Sequence, residues 1–163
     1  MILDVTHLCD KTFWDALEIH PGPLWASHHN CRALVDDPRQ LPDEQIRALI
    51  ERGAVIGAAF DAWMLAPGWI RHQSTPQDMG VTLQNVADHT DHICQIAGNC
   101  HHVGIGTDLD GGFGTEQSPA DLDTIADIAK FAEILASRGY SADDVERVMH
   151  RNFIDFALAA LPD

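Results

Sequence analysis

His7 and His28 stand 21 residues apart, about one strand–helix–strand unit, and each follows a short apolar run. An imidazole at the end of a buried strand can ligate a divalent metal or carry a proton near neutral pH. Two of them at matched ends of adjacent parallel strands can share one ion, and this donor type suits Zn2+. Taken singly, each is as readily a capping or buried hydrogen-bonding histidine. A later apolar run, Val103-Gly104-Ile105-Gly106, delivers Thr107-Asp108-Leu109-Asp110-Gly111-Gly112. Asp108 is the candidate proton carrier there, able to take a proton from a metal-bound water and pass it to a leaving amine. The same segment also has the composition of an ordinary turn. Arg39 has a planar fork that can clamp a carboxylate or an oxyanion, and its plainer reading is a surface arginine.

The remaining histidines sort by position. His29 adjoins His28 and cannot easily point at the same ion, so it is expected to pack in a loop or contact substrate. Asp88, His89, Asp91 and His92 fall on one helical segment and are expected to form a solvated face. His101 and His102 precede a strand, at the end where barrels place stability rather than catalysis. His20, His72 and His150 have no identifiable partner.

The elements that must position these groups alternate along the chain. Met1 to His7 reads as a buried strand. Thr12 is a plausible N-cap for a helix from Phe13 to about Ile19, ended by Pro21-Gly22. Leu24 to Ser27 is a second strand, and Pro42-Asp43-Glu44 opens a helix to Arg52 with Gly53 past its end. Ala54 to Phe60 is a third strand, followed by a long loop from Asp61 to Gly80. Thr82 caps a helix stopped by Gly98, and Val103 to Gly106 is the fourth strand. Three further helices are expected: about Leu122 to Arg138, Ala142 to His150 after the Ser141-x-x-Asp144 capping box, and about Phe153 to Leu161. Such alternation predicts an α/β fold with a parallel sheet, whose chemistry gathers at the carboxyl ends of the strands.

Composition narrows the function classes. A hydrophobic fraction of 45% with 21% charged residues suits one globular domain over residues 1–163. Ten Lys+Arg against 25 Asp+Glu give a net charge of −15, which argues against a nucleic-acid partner. No apolar run reaches the ~18–20 residues of a membrane span. The four cysteines lack C-x-x-C spacing and read as reduced thiols, and a cytoplasmic location is the default expectation.

Taken in order, five segments resemble successive motifs of the membrane dipeptidase (renal dipeptidase) family, the M19 metallopeptidases. They are Ile2-Leu3-Asp4-Val5-Thr6-His7-Leu8, Ala26-Ser27-His28-His29-Asn30, Arg39-Gln40, Asp88-His89-Thr90-Asp91-His92-Ile93 and His102 to Gly111. The resemblance implies a metal-dependent hydrolase-type (β/α)8 TIM barrel that holds two zinc ions and cleaves dipeptides. It implies His7 and His28 as ligands of one zinc, Asp108 as the acid/base, and Arg39 as a contact to the substrate carboxylate. His29 stands where many relatives have Ser, and His150-Arg151-Asn152 replaces the usual Gly-Gly-Asn.

The family's H-x-D pair and metal-bridging glutamate have no counterpart in the matched segments. The expectation is therefore the C-terminal four β/α units of a barrel whose typical length is ~250 residues. Three functions follow from it: a zinc dipeptidase in truncated form, an inactive half-barrel that associates with itself or a partner half, or another metal-dependent amidohydrolase. The expected partners are a dipeptide substrate, and a second copy or the missing N-terminal half.

Overall fold

A computed structural model describes residues 1–161. Its four strands are β1 (Leu3–Asp4), β2 (Leu24–Trp25), β3 (Ile56–Ala58) and β4 (Val103–Ile105). β1 pairs in parallel with β2, placing Leu3 beside Leu24, and β3 pairs in parallel with β4, placing Ile56 beside Val103. A parallel bridge between Ala26 and Ile56 joins the two pairs. Ala26 N–H donates to Val55 O at 3.1 Å, and Gly57 N–H donates to Ala26 O at 2.8 Å. The strands thus run β1-β2-β3-β4 in chain order, with their carboxyl ends on one side.

Helices α1 (Asp10–Ile19) and α2 (Asp43–Glu51) make the first two crossovers. The third runs through α3 (Pro76–Met79) and α4 (Leu83–Ala97), and α5 (Ala129–Ser137), α6 (Ala142–Glu146) and α7 (Asn152–Ala160) follow β4. The predicted strand–helix alternation is present. Among the described residues β1 and β4 have no further strand beside them, so the sheet is not a closed barrel.

Alternation along each strand builds two apolar layers. Leu24, Ala26, Ile56, Ala58 and Val103 are buried in a core with Phe13 of α1, Ile46 and Leu49 of α2, Val86 and Ile93 of α4, and Phe131 and Leu135 of α5. Each of these side chains larger than alanine contributes about 1.5–3 kcal/mol on full burial. Trp25 instead meets the rings of Phe153 and Phe156 of α7, at centroid separations of 5.5 and 5.6 Å. Gly104 has to be glycine here, because a Cβ would enter the Phe153 ring.

Several boundaries differ from those expected. The first helix begins at Asp10 with Cys9 as its N-cap residue, and Thr12 Oγ1 lies 3.2 Å from Cys9 Sγ. Residues 61–80 are not all loop: they hold a 3-10 turn at Ala62–Met64 and α3, which Thr75 caps. Residues 122–128 lie outside α5, which a 3-10 turn at Ile125–Ile128 precedes. The last two expected helices are one, because a π-turn at Arg147–Arg151 runs from α6 straight into α7. Asn152 occupies that junction and donates its amide to Cys100 O at 2.6 Å and Val103 O at 2.8 Å. The Thr82 cap, the Gly98 stop and the Ser141 capping box stand as expected; Thr82 also forms a capping box with Asn85, and Gly98 is left-handed. All four cysteines are free thiols. No helix among the described residues is long and apolar enough to cross a membrane.

Candidate metal and substrate site

Asp4, the last residue of β1, ties the first two strand ends together. Its Oδ1 accepts Thr6 N–H at 3.0 Å and Ser27 N–H at 3.1 Å. Burial pushes the carboxyl pKa up, but hydrogen bonds from Ser27 and Thr6 outweigh that and hold it below its usual range. The clamp brings the turn after β1 beside the residues after β2, and with them His7 beside His28.

The Nε2 atoms of His7 and His28 face each other at 3.0 Å. Zinc–nitrogen bonds of 2.0–2.1 Å place two ligands of a tetrahedral ion ~3.3 Å apart, so the pair is spaced as donors to one cation. Ser27 Oγ donates to Thr6 Oγ1 at 3.3 Å, which leaves its lone pairs for the Nδ1–H of His28 at 2.8 Å. That tautomer presents the Nε2 lone pair of His28 toward His7. Burial also lowers the pKa of His28, keeping the ring neutral as a ligand requires. Asp108 Oδ1 lies 3.8 Å from the same Nε2. Two imidazoles fit a divalent ion. Among the described residues, however, no group of three or more His, Cys, Asp or Glu gathers round one, and a catalytic zinc site uses three protein ligands.

His7 and Asp108 share a second property. Both have left-handed backbones, with φ of 69° and 59°, as do His72 and Asp110. Few non-glycine residues adopt this conformation, and those that do gather at functional sites. His7, His72 and Asp108 all line one cleft of about 490 Å3 at the carboxyl ends of the strands.

Arg39 enters the same cleft. Its Nη2 donates to His28 O at 3.0 Å, while its Nη1 is buried without a hydrogen-bond partner among the described residues. A half-satisfied guanidinium beside the paired imidazoles is suited to an anionic group of a ligand. All four candidates, His7, His28, Arg39 and Asp108, therefore come together in space.

Asp61 joins them unforeseen. It follows β3, is 6% exposed, and lines the cleft. Trp63 Nε1–H and Gln117 Nε2–H donate to its two oxygens, each at 2.7 Å. Burial raises its pKa to about 6 against those hydrogen bonds. Its position at a strand's carboxyl end was the available signal; a loop rich in Pro and Trp hid it.

His89, His92 and His102 make structural contacts away from the cleft. His89 does not lie on a solvated face: it is 1% exposed, and its Nδ1 accepts Cys31 N–H at 3.0 Å. On the same helix His92 pairs with Asp43 at 2.8 Å, and Asp91 accepts from Arg138 at 2.6 Å and Tyr140 at 2.5 Å. The segment fastens α4 to its neighbours. His29 packs in the loop after β2, one of the two roles expected of it, being 3% exposed with its pKa lowered to about 3 by burial. His102 bonds Ala54 O at 3.0 Å at the amino end of β4, as its position predicts.

The model of one sequence family, membrane dipeptidase (peptidase family M19), matches residues 1–157. An uncharacterized protein in the pqqA 5'region of Klebsiella pneumoniae is 32% identical over 154 residues, covering 94% of this chain and 53% of its own length. Dipeptidase tcpJ of Claviceps purpurea is 30% identical, covering 94% of this chain and 33% of its own. Among solved structures, a metallopeptidase from Rhodobacter sphaeroides holding a phosphinate mimic of L-Ala-D-Ala aligns with a TM-score of 0.81 at 23% identity. It covers 98% of this chain and 42% of its own. A dipeptidase AC structure of family M19 aligns with a TM-score of 0.82 at 24% identity, covering 97% and 44%. This chain thus spans between a third and about half the length of the relatives it matches. With the fold, the ordered motifs and the matched span in agreement, the chain belongs to the membrane dipeptidase family, peptidase family M19.

Proposed function

We propose that this chain supplies half of the active site of a zinc-dependent dipeptidase. The supporting observation is the 3.0 Å approach of His7 Nε2 to His28 Nε2, with Asp108 and Arg39 beside them. His7 and His28 would hold the ion. When bound, a divalent metal polarises a carbonyl and lowers the pKa of water.

The chain's own groups do the rest. Arg39 binds the terminal carboxylate of the dipeptide through its free Nη1 edge and so limits the length of peptide accepted. Asp108 takes the proton of the attacking water on its carboxylate and delivers it to the departing amine nitrogen. Ser27 holds the His28 ring in its ligating tautomer.

The two-imidazole set and the unpaired edges of β1 and β4 favour a second reading of how the site works. The four β/α units form half of a (β/α)8 barrel. Activity then requires the other four, from the rest of a longer chain or from a second chain that pairs on those edges. Self-association of the half-barrel through the same edges is the non-catalytic alternative.

Purified chain should be assayed against a neutral dipeptide with Zn2+, alone and with the N-terminal half of a family member. Zinc-dependent hydrolysis in either arm supports the dipeptidase reading. Hydrolysis in the second arm alone supports the half-site reading, and no hydrolysis in both would overturn the dipeptidase assignment.

A further inference from the structure

The cleft holds a buried anion that the dipeptidase chemistry above does not use. Asp61 is buried at the carboxyl end of β3, and both its oxygens accept neutral N–H groups, from Trp63 and Gln117. No cation lies within ion-pair distance of it among the described residues. A buried charge without a counterion is costly, and a ligand that brings the missing cation recovers part of that cost.

The cleft lining carries Asp37, Asp61 and Asp108 against Arg39 and Arg71. Arg71 is exposed and stacks on Trp63, 5.2 Å from the ring centroid, so it sits at the rim and is screened by water. Arg39 is committed on one edge to His28 O. The cleft wall also carries the apolar surfaces of Met64, Trp63 and Phe113. A side chain with an aliphatic stem and a cationic tip matches such a lining around a buried carboxylate.

We infer that Asp61 is a specificity-determining residue, selecting dipeptides whose C-terminal residue carries a basic side chain such as lysine. This rests on the dipeptidase reading for the placement of the terminal carboxylate on Arg39. Trp63 and Gln117 hold the Asp61 carboxylate in place, and the ammonium group of the ligand pairs with it.

Affinity reads this apart from turnover. Calorimetric titration of the full chain, with a chelator present to stop hydrolysis, would compare Gly-Lys with Gly-norleucine, which have similar stems and differ in the charge. Gly-Lys should bind roughly tenfold tighter at pH 8, the scale of one desolvated ion pair. Asp61 has its pKa pushed up to about 6 by burial, so the preference should fade as pH drops through that value. The other charged or titratable groups lining the cleft are Asp108, Asp37, Arg39, Arg71, His7 and His72, and a D61N variant separates its titration from theirs. D61N should bring the preference close to unity and abolish its pH dependence. Gln117→Ala removes one hydrogen bond but keeps the charge, and should retain the preference. Equal affinities in the parent chain, absence of binding by both peptides, or a preference that survives D61N would each overturn the inference. Failure of the dipeptidase reading would show separately, as no metal-dependent hydrolysis despite selective binding.

Discussion

Ser27 Oγ lies 2.8 Å from Nδ1 of His28, on the ring edge opposite the nitrogen that faces His7. The serine proton is directed at Thr6 Oγ1, so the hydroxyl acts as acceptor for the ring. One side chain therefore fixes both the tautomer and the aim of a proposed ligand. Ser27→Ala should lower zinc affinity by roughly 10–100-fold, the usual cost of losing such a partner, with little change in thermal stability. Competition titration against a chromophoric chelator reads the affinity. Unchanged affinity would remove Ser27 from the site.

Ser27 is itself placed by two glycines. A Cβ on Gly57 or Gly106 would fall on the Ser27 carbonyl oxygen, and the Gly57 Cβ would also come within 2.8 Å of Gly106 Cα. Three strands converge at that point, with no room for a methyl group. Gly106→Ala should cost about 1–3 kcal/mol in denaturant unfolding. Zinc affinity should drop with it, because Ser27 and His28 shift together. Full stability with full affinity would show that the contact is not constraining.

His89 makes the fold acid-labile. Burial lowers its pKa from 6.5 to about 3, and its neutral Nδ1 accepts Cys31 N–H inside the core. The unfolded chain binds a proton here below pH 6.5 while the folded chain does not. Stability is thus complete above pH 6.5 and lost as pH falls toward 3. By pH 4.5 the loss from this residue is roughly 2–3 kcal/mol. His29 carries the same depression to about 3, so His89→Gln should reduce the slope of the stability–pH curve between pH 4.5 and 6.5 by about one proton's worth, measured by urea unfolding, whatever its effect at pH 7. An unaltered slope would place the acid sensitivity elsewhere.

The strand ends were the legible part of the sequence. Short apolar runs punctuated by Pro21-Gly22, Gly53 and Gly98 mark β1 to β4 and their order, and the carboxyl-end rule then selects His7, His28 and Asp108. Capping chemistry is local, so the Thr82 cap and the Ser141 box could be read directly. What could not be read depends on distant packing. His89 and Asp91 have the polar spacing of an exposed helix face, but Cys31, Arg138 and Tyr140 arrive from 47 to 58 residues away to bond them, and His89 is buried. Asp61 gains its environment from Gln117, 56 residues on. The π-turn before Asn152 leaves no mark in the hydrophobic period, since the amide contacts with β4 that fix it are tertiary.

The central claim is that His7 and His28 hold one divalent ion. Zinc per chain after dialysis, by plasma emission spectrometry, tests it most directly in the parent chain and in His7→Ala and His28→Ala, with circular dichroism to confirm that each remains folded. The account predicts about one zinc retained by the parent chain and near-complete loss in either folded variant. A parent chain that retains no zinc, or folded variants that retain as much as the parent, would contradict it.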